Sequence, residues 1–196
     1  NVAPVQSVVG VTIGQVFEGN DPNQHDPNAH IANSEGTIKF NLTNNDADND
    51  EYIAKVYLNY DNSEGNVTFN GTVVAPGTVL SFGVNGVCTG PAGFAGLTAD
   101  GLGNGALKYT PNSGSDSDVD VKINYAVTVI DPDSGDTKLT TNIDGVTSDS
   151  ALGRQMLAGT VDDKPIIDGT GAKLDMTVDA VADKPTAAAN GNANTM

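Results

Sequence analysis

VDVKINYAVTVID, residues 119–131, decides how this chain folds. Val119, Val121, Ile123, Tyr125, Val127 and Val129 recur at every second position, with Asp120, Lys122, Asn124 and Thr128 between them. Successive side chains of a strand point to opposite faces, so this spacing predicts a long strand with one apolar side. The same period returns in TIKFNL (Ile38, Phe40, Leu42) and in AKLDMTVDA (Leu174, Met176, Val178). In YIAKVYLNY it places Ala54, Val56, Leu58 and Tyr60 on one side. Weaker strand patterns are VVGVTIGQVF, NVTFNGTVV, TVLSFGV, ALKYT and DTKLTTNI.

Short strands separated by Gly, Asn, Asp and Pro turns predict an all-β fold, an antiparallel β-sandwich of the immunoglobulin or cadherin kind with long loops. The composition agrees. Of 196 residues 23 are Gly, only 38% are hydrophobic and 5% aromatic, and there is no Trp. One short helix is expected at SALGRQML, residues 150–157, behind Asp149 or Ser150 as N-cap. The expected organisation is one domain over residues 1–186 and a flexible tail over 187–196, and the chain reads as a piece of something longer.

The formal net charge is −16, which disfavours nucleic acid and anionic membrane surfaces as partners. No run approaches the roughly 18 apolar residues of a membrane span. The single cysteine, Cys88, allows no internal disulfide, and a metal ion is the usual substitute staple for a secreted domain. The spacing of His25 and His30 is poor for zinc, and the motifs GxSxG, HExxH and the phosphate loop are missing, so no enzyme is expected.

The acidic residues are clustered. NDADNDE, residues 45–51, places Asp46, Asp48, Asp50 and Glu51 directly before a predicted strand. DPDSGD holds Asp131, Asp133 and Asp136 after the longest strand, and VDAVAD holds Asp179 and Asp183. Glu18 closes the first strand pattern. Carboxylates about 5 Å apart repel by roughly 1 kcal/mol per pair even in a water-like medium. Alternate side chains of a turning segment converge, and Ca2+ takes about six to eight such oxygens. The run lacks the sixth-position Gly and distal Glu of an EF-hand. Asp is also favoured in turns for its own sake. Several clusters at strand ends in so acidic a chain favour Ca2+ as cofactor. Arg154, the only arginine, can read a ligand carboxylate bidentately or pair with a neighbouring Asp.

MTVDAVADKPT, residues 176–186, resembles the terminal strand and linker of repeats in giant bacterial adhesins of the RTX type, where V-x-A-V-A-D-x-P-T recurs at domain junctions. FEGN, the D-x-D-x-D-E run and the terminal strand stand in the order of that family. The resemblance implies type I secretion to the bacterial cell surface and neighbouring adhesin domains in tandem. It also implies Ca2+ at the junctions, with Glu18, Asp179 and Asp183 as ligands.

This chain is about twice the length of a simple repeat, which falls near the ~100 residues of a usual sandwich. The additions are the loops 18–35, 83–105 and 144–171, and loops on a rigid scaffold are where recognition resides. The enlarged form resembles the peptide-binding domain of some of these adhesins, which captures the C-terminal end of partner proteins on other cells with Ca2+ in the pocket. The function this implies is Ca2+-dependent binding of an extracellular peptide in adhesion and biofilm formation. Asp100, Asn104 and Arg154 are the candidate ligand-binding residues. The alternatives are a structural spacer and a carbohydrate-binding module. Sugar binding usually needs an exposed aromatic, for which Phe94 is the main candidate unless it plugs the core.

Overall fold

The computed structural model describes residues 8–13, 16–17, 36–45, 48–112 and 119–179. Glu18, His25, His30, Asp46, Asp183 and the expected tail at 187–196 lie outside the described residues. The elements are β1 (Val8–Ile13), β2 (Val16–Phe17), β3 (Gly36–Thr43), β4 (Tyr52–Asn59), β5 (Gly65–Phe69), β6 (Thr72–Val73), β7 (Thr78–Phe82) and β8 (Cys88–Gly90). Helix α1 (Ala99–Gly103) follows, then β9 (Leu107–Pro111), β10 (Val119–Ile130), β11 (Thr137–Thr141), α2 (Ala151–Leu157), β12 (Ile166–Asp168) and β13 (Leu174–Asp179).

Two sheets pack face to face as an all-β sandwich. One has the order β1-β3-β9-β5-β6; the other runs β12-β11-β10-β4-β7-β8, with β13 pairing β10 and β2. Only β11–β12 and β13–β2 are parallel among the described pairs. The period-two face of β10 forms the centre of the core: Val121, Ile123, Tyr125, Val127 and Val129 are all buried. Phe40 from the facing sheet meets the Tyr125 ring edge-on at 5.9 Å. Such a T-shaped pair adds about 0.5–1.5 kcal/mol to the burial of its area.

The opposite face of β10 is also covered. Ala126, Leu139 and Met156 form a second buried cluster against Tyr57, Val79, Leu152 and Ile167, with α2 as its lid. The expected helix is present, and the Ser150 hydroxyl caps it by accepting from Gly153 N at 3.1 Å. At its other end Lys55 Nζ donates to the carbonyls of Gln155 and Ala158, which no further helical turn can satisfy. Thr128 Oγ1 donates to Met156 O at 3.0 Å.

Beside β10, β11 stops at Thr141 and β13 begins at Leu174, and Asn142 spans the gap. Its Oδ1 accepts from Tyr125 N and its Nδ2 donates to Ile123 O, each at 2.9 Å, in a residue only 4% exposed. Replacing Asn142 with Ala strands a buried donor and a buried acceptor, and is expected to destabilise by about 1–3 kcal/mol. A lower denaturation midpoint with an unchanged m-value is the expected reading; an unchanged midpoint would show that the bridge contributes nothing.

The Gly-rich stretch 83–105 folds onto the core instead of looping outward. Phe94, Leu97 and Leu102 are buried beside the sandwich centre. Thr98 caps α1 by accepting from Gly101 N at 3.0 Å.

The registers fix where the chain enters and leaves. Val8 pairs with Thr43, close in sequence to the acidic run, whereas Val178 pairs with Val119 at the far end of β10. The first described long strand therefore begins, and the last ends, at opposite ends of the sandwich.

Candidate functional site

At the mouth of β4 a β-bulge re-aims the acidic run. Thr128 pairs with Lys55 but Val129 with Ile53, so Ala54 is an extra residue in β4. Strict alternation predicts Ala54 in the core face; Ala54 is buried, but the bulge gives its place in the main core cluster to Ile53, while Val56, Leu58 and Tyr60 stay as expected. Glu51, two residues before Ile53, is carried to the same side and is only 5% exposed.

Asp48, Asp50 and Glu51 each offer a carboxylate oxygen within 4.8 Å of the others. Asp48 is exposed, Asp50 half-buried and Glu51 buried. Like charges about 5 Å apart repel by about 3 kcal/mol per pair at an effective dielectric of about 20. Asn44 stands beside them, its Nδ2 donating to Glu51 O at 3.1 Å. Asn44 Oδ1, Asp50 Oδ1 and Glu51 Oε2 are buried and receive no hydrogen bond, although Asp50 and Glu51 make other interactions. The donor set is all oxygen, with no imidazole or thiolate, and fits a hard cation such as Ca2+.

The cluster borders a cleft of about 490 Å³. Its walls come from the end of β3, the start of β4, the β7–β8 turn and α1. Asn44, Glu51, Tyr52, Asn85, Asp100 and Asn104 line it. Thus Asp100 and Asn104, proposed from the Gly-rich loop, share one cavity with Glu51. Buried Leu97 and Leu102 hold the segment that carries them.

The other expected residues are placed elsewhere. Arg154 is exposed on α2, in the layer outside the eight-stranded sheet, and does not line the cleft. Asp131 serves its own turn: Oδ1 accepts from Asp133 N and Ser134 N, and Oδ2 from Ser134 Oγ. Among the described residues Asp131, Asp133 and Asp136 do not converge as a metal-binding group, although β10 ends on the same side as the acidic run, with Ile130 opposite Tyr52. Asp179 ends β13 at the far end, paired with Phe17, the residue before Glu18. Phe94 is in the core and offers no ligand platform. The aromatics lining the cleft among the described residues are Phe40, which is buried in the core, and Tyr52, which the sequence presents only as a strand residue. Asn44, Tyr52 and Asn85 carried no motif signal.

No protein-family model, curated protein or solved structure matches this chain.

Proposed function

We propose that this chain is a Ca2+-dependent ligand-binding domain of a secreted cell-surface adhesin. The observation that carries the reading is the convergence of Glu51, Asp100 and Asn104 on one cleft, with Glu51 clustered with two further carboxylates, Asp48 and Asp50. A cation there would fix the β3–β4 connection and present a positive charge to the cavity. The likeness of VDAVADKPT to adhesin junctions supports the tandem setting, and entry and exit at opposite ends suit domains strung in series.

A pure spacer would use the same end-to-end path, but it has no need of a cleft walled by four separate segments. The immobilised chain, offered peptides with free C-terminal carboxylates and a panel of glycans, should bind one class saturably in calcium and release it in EDTA. If neither class binds while calcium still raises the melting temperature, the domain is a spacer.

A further inference from the structure

Resting on the ligand-binding reading above, we propose that the cleft receives a neutral saccharide, with carboxamides and carboxylates holding its hydroxyl groups. Four asparagines, Asn41, Asn44, Asn85 and Asn104, and two carboxylates, Glu51 and Asp100, line it. Among the described residues no Lys, Arg or His does. A carboxamide both donates and accepts, whereas a carboxylate only accepts. Sugar hydroxyls also do both, so neighbouring hydroxyls can donate to Asp100 and accept from Asn85 or Asn104. A peptide carboxylate only accepts: it can use the carboxamide N–H groups and a bound cation, but Glu51 and Asp100 offer it only repulsion, whereas neighbouring hydroxyls can use all three.

Two further observations point the same way. Asn44 Oδ1 is buried on the cleft wall and receives no hydrogen bond, which calls for a donor or a cation from outside the protein. Moreover, the cleft has an apolar side: Tyr52 is half-buried there, and Val84 lines it while 66% exposed. A sugar ring presents a C–H face to such a surface while its hydroxyls turn to the polar wall. Vicinal hydroxyls are also hard oxygen donors, able to complete the coordination of a cation at Asp48, Asp50 and Glu51.

The test is titration calorimetry of the whole chain in millimolar calcium against neutral oligosaccharides, uronic-acid oligosaccharides and peptides with free C-termini. Neutral oligosaccharides should bind and the two acidic classes should not. Asn85→Ala and Asn104→Ala, both at exposed positions, should each weaken binding about five- to tenfold while the rise in melting temperature on adding calcium stays unchanged; Asn85→Ala also removes the turn bond from Val87 N, which lowers both melting temperatures alike. Binding of peptides or acidic sugars in place of neutral sugars overturns the saccharide assignment and leaves the ligand-binding domain standing. Saccharide binding indifferent to both asparagines places the site elsewhere and also overturns it. Heat from none of the three classes removes the ligand-binding reading itself.

Discussion

Millimolar calcium is expected to raise the melting temperature of this protein by about 5–11 °C, and EDTA to reverse the rise. A ligand present at a hundred times its Kd stabilises the native state by about 2.7 kcal/mol. For a chain of this size each kcal/mol moves the midpoint by about 2–4 °C. The sign of the mutational effect is the sharper criterion. Without calcium, Glu51 is held nearly buried among like charges, so Glu51→Gln, like Asp48→Asn, relieves repulsion and should leave stability equal or higher in EDTA. In calcium the same substitutions remove a ligand, and both variants should melt below the parent. The stability order thus inverts with the metal. Parallel curves for parent and variants, with and without calcium, would sink the assignment of the cluster as a cation site.

Phe94→Ala is expected to cost about 3–5 kcal/mol, the range for deleting a buried aromatic ring. Phe94, Leu97 and Leu102 pin residues 83–105 to the sandwich, and this segment brings Asp100 and Asn104 to the cleft. The variant should therefore lose ligand binding while the carboxylate cluster, mounted on the β3–β4 connection, still takes calcium. Val84→Ser on the same stretch is the control: 66% exposed, it should change stability by no more than about 0.5 kcal/mol. A loss below about 1 kcal/mol in Phe94→Ala, measured by chemical denaturation, would show that the ring is not an anchor.

The strands were legible because alternation is a local signal. The run from Val119 to Val129 announces its buried face without reference to any partner, and Ser150 announces the start of α2. The covering of the other face was not legible. Ala126 and Thr128 look like ordinary solvent-side residues, and only the return of Met156 onto them makes that face a second core. The Gly-rich stretch hid β8 and α1 because Phe94, Leu97 and Leu102 are too sparse among the glycines to announce an element.

At the site, the density of Asp in residues 46–51 was plain, but the bulge at Ala54 was not. That one extra residue decides that Glu51 turns inward. Asp100 and Asn104 were expected as ligand-binding residues, but the cleft that joins them to Asn44, Tyr52 and Asn85 was not legible, because it forms only where β4 pairs with β7 in one sheet and α1 packs against β3 of the other.

Entry at one end of the sandwich and exit at the other also governs how the fold bears tension. A pull on β1 is directed along its axis, away from Ile13, and the opposing pull on β13 runs along its axis beyond Asp179. Antiparallel ladder hydrogen bonds lie perpendicular to their strands, so both ladders are loaded in shear. The six β1–β3 pairs and the five β10–β13 pairs then share the load and must slip together, whereas a hairpin peeled from its open end yields one pair at a time.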